Sequence, residues 1–298
     1  YPLPGYEKPM GPYPTVVNHK DNRKILIVQA SALGKYVGNL TVKYDNNGNV
    51  ISWSGAPIYL NNSIEHDEDI DEKLEDWEEG LEEQGNRLIG QTNVLLQHSN
   101  CRYTECNLGN FITDAMVSNF LNTKDKNVWT SAAIAIINSG GIKTSITPGN
   151  ITFSDLILTL PFGNTFDVGE IQGKHLKAAL EFAAGNENHW GGYNMNLLQV
   201  SGLYIIYNVT NPMGSRVESV KVRCRECHVP LYEDLDLEKY YKIVINSFLA
   251  GGGEGHLILA NNVINRKVGE IDIDVLEKYI KKRSPVIQEL QGRIRVVH

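Results

Sequence analysis

The sequence predicts an α/β (α+β) fold for residues 86–298, entered through a β-rich segment and a single acidic helix. Three observations carry that reading. Beyond Asn86, strand-like apolar runs alternate with amphipathic helical stripes. Before Leu60 the pattern is strand only, with an Asn-Gly hairpin signal inside Asp45-Asn-Asn-Gly-Asn49. Between the two, carboxylates crowd a stretch whose apolar residues keep a helical period. A chain of 298 residues is long for one domain and comfortable for two.

In the first part, Lys24-Ile-Leu-Ile-Val-Gln29 is a short apolar run and Asn39-Leu-Thr-Val-Lys-Tyr44 alternates by two. Val50-Ile-Ser-Trp53 returns across the hairpin signal. A few strands without helices make a small core, so this part is not expected to stand alone. Ile70, Leu74, Trp77 and Leu81 then share one face of a helix over 67–85, which stops at Gly85 and serves as a connector. Leu108, Phe111, Ile112, Ala115 and Phe120 form the next helical stripe, and Ala132-Ala-Ile-Ala-Ile-Ile137 is an apolar strand. Ser154 and Asp155 offer a helix cap and Pro161 a stop. A helix over 175–184, strands over 202–209 and 217–223, and a last helix over 274–283 closed by Ser284-Pro285 complete the span.

The net charge of −7 is local. Between Glu65 and Glu83 lie 12 acids and one base, leaving 27 bases against 23 acids elsewhere. A body only slightly basic that carries one acidic segment argues against a general nucleic-acid binder but permits an anionic small ligand. No apolar run approaches the length of a membrane span. The chain opens without Met on a Pro-rich stretch, with no signal peptide or lipid-anchor tail, as a mature product or a piece of something longer would.

The four cysteines form two close pairs, Cys101/Cys106 and Cys224/Cys227. A four-cysteine zinc site, a redox CxxC or two local disulfides would each give this pattern. A zinc ribbon usually keeps two matching knuckles closer together. A thioredoxin-type CxxC opens a helix, whereas Cys224-Arg-Glu-Cys227 follows the 217–223 strand and runs into His-Val-Pro. Sequons at Asn39, Asn61, Asn150 and Asn208 lean towards disulfides and glycosylation in an oxidising, extracellular setting.

Chemistry concentrates in four short stretches. The first is Ser99-Asn-Cys-Arg-Tyr-Thr-Glu-Cys-Asn-Leu-Gly-Asn-Phe111, where Arg102 lies in the Cys101–Cys106 interval ahead of a helix N-terminus suited to an anion. Asn138-Ser-Gly-Gly-Ile-Lys143 follows the apolar strand, so a glycine turn brings backbone amides and Lys143 to a strand's end. Leu160-Pro-Phe-Gly-Asn-Thr-Phe166 and Phe248-Leu-Ala-Gly-Gly-Gly-Glu-Gly-His256 are the others. Glycine turns are ordinarily just turns, and Phe162 and Phe248 would ordinarily be core. Three glycines between Phe248 and Glu254 need more, since they cost backbone entropy unless the backbone must pass close to something. No HExxH-type metal spacing and no GxSxG elbow is present.

At these stretches the chain resembles the ecto-5′-nucleotidase and apyrase family, and specifically its C-terminal, nucleotide-binding domain. CRYTECNLGNFITDAM is similar to the family's CR-x-x-ECN-x-GN-x-x-x-DAM, IINSGGIKT to its NGGGIR turn, LPFGNTFD to LPFGGTFD and FLAGGGEG to FLANGGDG. IVQASALGKYVGNLTVKYDNNGNVIS resembles the closing strands of the family's metallophosphatase domain. The resemblance implies an incomplete metallophosphatase remnant over 1–66, an interdomain helix over 67–85 and a mixed-sheet nucleotide-binding domain over 86–298. It implies that Arg102 and Lys143 face phosphates with Asn138 beside them, that Phe162 and Phe248 sandwich a base, and that Glu254 accepts from ribose hydroxyls. The nucleotide would be AMP, ADP or ATP. Two divalent metal ions, zinc or similar, and the catalytic residues belong to the upstream part of that domain, so the chain alone is expected to be inactive. A homodimer is allowed, and membrane attachment only through a tail outside this sequence. Lys143 stands where the family has Arg and Glu254 where it has Asp, and Ser139, Asn164 and Gly251 also differ. The implied function is a secreted or surface nucleotidase, with an inactive nucleotide- or protein-binding effector as the alternative that the departures keep open.

Overall fold

The computed structural model describes residues 11–31, 34–187 and 193–298. Two compact units meet at Glu78 and Glu79, inside the helix Glu68–Gly85. In the first unit, three antiparallel pairs form: Thr15–Asn18 with Lys24–Ile27, Tyr36–Val37 with Ile58–Tyr59, and Thr41–Tyr44 with Val50–Ser54. The last is the hairpin that the Asn-Gly signal predicts. Its turn is held by the Asp45 carboxylate, which accepts from the amides of Asn47 and Asn49 at 2.9 and 2.7 Å. Apolar side chains on these strands, among them Ile27, Ile51 and Ile58, remain exposed. The helix ends at Gly85 as expected, and its stripe of Ile70, Leu74, Trp77 and Leu81 is exposed as well.

The second unit is built on a five-stranded mixed sheet ordered Leu198–Ser201, Ile134–Asn138, Tyr240–Asn246, Phe166–Gln172, Ile264–Lys267. Strands 134–138 and 240–246 run parallel and the other neighbours antiparallel. Alternation on the two central strands sends side chains to opposite faces. Ala135, Ile137 and Val244 join a core with the helices Asn107–Ser118 and Asp272–Arg283. Ile134, Ile136, Ile243 and Ile245 join another with the helix Gly173–Ala183 and a second sheet. That sheet is ordered Tyr232–Asp234, Val217–Arg223, Leu203–Asn208, Ile294–Val297. A mixed-sheet α/β architecture is therefore what this part of the sequence folds into. Among the described residues no helix is long and apolar enough to cross a membrane.

Three details differ from expectation. Thr152, not Ser154, caps the helix Phe153–Thr159, because Thr152 leaves a strand in extended conformation and closes a capping box with Asp155. Phe120 lies beyond the helix 107–118, which Asn119 ends. The strands 198–201 and 294–297 were not read from the sequence at all, nor were 88–92, 149–152, 166–172, 240–246 and 264–267. All four cysteines are paired as Cys101–Cys106 and Cys224–Cys227, which excludes the zinc and dithiol readings for the oxidised chain.

The loop before strand 166–172 hangs on Asp272. This buried carboxylate accepts from the amides of Asn164 and Ile273 at 3.1 and 2.8 Å, and the Asp272 amide donates to the Asn164 carbonyl at 2.8 Å. Burial raises its pKa from 3.8 to about 6. The unfolded chain therefore releases this proton first, and the group's contribution to stability falls as pH rises from about 4 to about 6, then levels. Asp272→Asn removes that titration. Its stability relative to the parent chain should rise by about 1–2 kcal/mol between pH 4 and pH 7, read from denaturant midpoints. A pH-independent gap would contradict this account of Asp272.

Candidate functional site

The parallel strands 134–138 and 240–246 end side by side in Asn138 and Asn246, both buried. Asn246 Nδ2 donates to Asn138 Oδ1 at 2.9 Å, and Asn138 Nδ2 donates to Glu254 Oε1 at 2.6 Å. Asn246 Oδ1 accepts from the Leu249 amide at 3.2 Å, capping the short helix Ser247–Ala250. The chain then turns back through Gly252 at φ 89° and Glu254 at φ 53°. A left-handed non-glycine residue is strained by about 1 kcal/mol or more and needs its surroundings to hold it. Here Glu254 is held by Asn138 on one oxygen and by a short bond from Asn196 Nδ2 on the other. Two glycines make the approach possible: a Cβ on Gly140 would lie 2.1 Å from Glu254 Oε1, and one on Gly253 would lie 2.3 Å from the Phe248 ring.

Arg102 reaches this edge through the segment before strand 198–201. Its Nε donates to the Met195 carbonyl at 3.0 Å and its carbonyl accepts from the Leu197 amide at 3.0 Å. Asn196 between them accepts from Ser139 Oγ at 2.6 Å and bonds Glu254. The loop bearing Arg102 is fixed twice over. The Cys101–Cys106 bond closes it, with Cys106 Sγ accepting from Gly109 N at 3.2 Å to cap the helix. Fully buried Gln199 fills it, donating to the carbonyls of Cys101 and Thr104 at 2.7 and 2.9 Å and accepting from Cys106 N at 3.1 Å.

The third wall is the loop 161–165, which leads into strand 166–172, where Phe166 pairs with Asn246. Ser247 Oγ binds it by accepting from Thr165 N at 3.2 Å and donating to Asn164 Oδ1 at 3.1 Å. Lys143 Nζ stands 5.2 Å from the Phe162 ring centroid, a cation–π contact. His98 bonds Ser145 Oγ at 3.0 Å. Burial, and then the Lys143 charge, hold its pKa below the usual histidine value, so it is neutral at pH 7. Phe162 and Phe248 are 59% and 45% exposed, while Phe111 and Phe166 are buried, which removes the core reading for the first two.

Of the residues singled out in the sequence, Asn138 and Glu254 bond directly, Lys143 lies over Phe162, Phe248 lies against the Glu254 turn, and Arg102 connects through Met195 and Asn196. Asn196, Gln199, Asn246 and His98 were missed. Asn246 had a signal: both parallel strands end in Ile-Asn-Ser, at 137–139 and 245–247. Asn196 and Gln199 had none, since their partners lie 57 or more residues away. The sequons Asn39, Asn61 and Asn150 are exposed, and Asn208 is half-buried with Nδ2 on Glu218 at 2.7 Å. As to the metals that the fold family implies, the cluster of potential ligands found among the described residues is Cys224, Cys227 and Glu233. Its sulfurs are tied up in a disulfide, so it does not fit a metal ion.

Exposed aromatics, cations and a held carboxylate thus gather at the ends of parallel strands, the position at which α/β domains commonly take ligands. Residues 88–261 match the model of the 5′-nucleotidase C-terminal domain, and the chain belongs to that family. It is 44% identical over 294 residues to an apyrase of Tabanus yao, covering 99% of this chain and 53% of that protein. Against a 5′-nucleotidase of Homo sapiens it is 38% identical over 297 residues, covering 98% and 51%. A crystal structure of a 5′-nucleotidase precursor from Thermus thermophilus superposes with a TM-score of 0.72 at 34% identity, over 98% of this chain and 55% of that one. The chain thus spans about half the length of the curated relatives it matches.

Gln199 satisfies three buried backbone groups that Leu could not. Gln199→Leu should lower stability by roughly 2–4 kcal/mol, at about 1–3 kcal/mol for each orphaned group partly offset by the added apolar side chain. A thermal melt within a degree of the parent's would show that the disulfide alone orders the Arg102 loop.

Proposed function

We propose that this chain supplies the nucleotide-binding part of a metal-dependent nucleotidase acting on extracellular nucleotides. In this reading residues 1–66 are the closing strands of a metallophosphatase domain, 67–85 the connecting helix and 86–298 the nucleotide-binding domain. Phe162 and Phe248 stack the purine, whose π-face needs no particular substituents. Glu254 keeps lone pairs for the ribose hydroxyls, and Arg102 and Lys143 meet the phosphates, with Asn138 holding Glu254 in place. The observation that carries the reading is the pair of exposed phenylalanines beside two cations and a buried-asparagine-held carboxylate, on four loops at one end of the sheet.

Divalent metals, when bound in the upstream domain, would activate the attacking water; the residues here bind and orient the nucleotide. Lys143 offers a point charge instead of a guanidinium fork, which tolerates different phosphate lengths better than a bidentate clamp does. AMP, ADP and ATP all remain within its reach, in keeping with relatives named 5′-nucleotidase and apyrase. The disulfides, the exposed sequons and a relative named a snake venom 5′-nucleotidase, from Gloydius brevicauda, support a secreted or surface location with glycans at Asn39, Asn61 and Asn150.

Calorimetric titration of the 298-residue chain with adenosine and AMP tests the assignment. Phe248→Leu should weaken both ligands by roughly 1–3 kcal/mol, the cost of lost stacking, without lowering the melting temperature. Arg102→Ala should spare adenosine and weaken AMP. If neither substitution changes binding, the nucleotide reading is wrong. In a phosphate-release assay with AMP or ADP and added zinc, magnesium or calcium, the chain by itself should show no turnover, and turnover above blank would place catalytic groups inside it.

A further inference from the structure

A second pocket, of about 280 Å3, opens between the helices 107–118 and 272–283 and the ends of strands 198–201 and 217–223. It shares no residue with the edge described above. Its walls carry three guanidinium groups, Arg223, Arg283 and Arg293, against one carboxylate, Asp114.

That carboxylate is already engaged. Asp114 accepts from Arg293 Nη2 at 2.6 Å and from Ser201 Oγ at 2.7 Å. Arg293 is buried and satisfied, donating also to the Val200 carbonyl at 2.9 Å and to Gln291 Oε1 at 3.1 Å. Arg223 and Arg283 are left with no ion pair among the described residues. Arg223 spends Nε and Nη2 on the Ala133 carbonyl, at 3.3 and 2.8 Å, and its plane lies over Trp129 at 5.2 Å. Arg283 lies over Tyr279 at 5.5 Å.

Each guanidinium thus lies over an aromatic ring; Arg223 Nη2 also donates to Ser201 Oγ at 3.3 Å, and the charge of Asp114, which acts on Arg223 too, is shared with the directly paired Arg293. Burial pushes the Arg223 pKa below its usual value, a desolvation cost that a nearby anion would offset. Guanidinium forks match the paired oxygens of phosphate better than they match halide or a lone carboxylate oxygen. We propose that this pocket binds a doubly charged phosphate, as the free ion or as a phosphate monoester.

The test uses orthophosphate and glycerol 3-phosphate as probes, titrated calorimetrically into the full chain carrying Arg102→Ala and Lys143→Ala. That background removes the cations at the other edge, so the result does not depend on the nucleotide reading. One phosphate per chain is expected, and adding Arg283→Gln should weaken it at least tenfold with an unchanged melting temperature in phosphate-free buffer. Arg223→Lys keeps the charge and loses the fork, and should weaken binding as well. Equal binding of both probes assigns the pocket to monoesters too, and binding of orthophosphate alone restricts it to the free ion. No binding in the Arg102/Lys143 background, or affinity indifferent to both Arg283→Gln and Arg223→Lys, would overturn the proposal.

Discussion

The hydrogen bond between Asn246 and Asn138 is the interaction on which the rest of the site depends. Two parallel strands leave their last polar side chains pointing into a buried space where neither can be solvated. Pairing at 2.9 Å satisfies one donor and one acceptor. The remaining groups then have fixed directions: Asn138 Nδ2 faces Glu254, and Asn246 Oδ1 faces the Leu249 amide. One side-chain pair therefore sets both the start of the Phe248 helix and the position of the Glu254 carboxylate. A glycine opposite, Gly140, is required because the carboxylate passes where a Cβ would sit.

Much of this was legible in sequence, and the reasons differ by element. The 134–138 strand announced itself as an unbroken apolar run because both its faces are covered by core. The helices 107–118 and 272–283 each cover one face and so kept a helical stripe. The strand 198–201 was invisible because it is four residues long and spends Gln199 and Ser201 on distant polar partners. The four motifs were legible as loops, since glycine and turn chemistry are local. What joins the loops is Asn196, Gln199 and Asn246, whose roles follow from the sheet order 198–201, 134–138, 240–246 and not from any local pattern.

The departures from the family's motifs acquire physical meaning in the structure. Ser139 Oγ bonds Asn196, and Asn164 Oδ1 accepts from Ser247, so both substituted side chains stitch loops together. Glu254, longer than Asp by one methylene, uses that length to fold back onto Asn138 and Asn196. Lys143 replaces a planar fork with a flexible ammonium lying over the Phe162 ring, so part of its charge is already placed against an aromatic face. Each change alters how a ligand group would be met while leaving the frame intact.

The central claim is that the loops around Asn138 form one nucleotide site. A crystal structure of the chain with AMP tests it most directly. The account predicts the purine between the rings of Phe162 and Phe248, a ribose hydroxyl within hydrogen-bond distance of Glu254, and the phosphate near Arg102 and Lys143. Nucleotide density at any other place on the domain, with these loops empty, would contradict it.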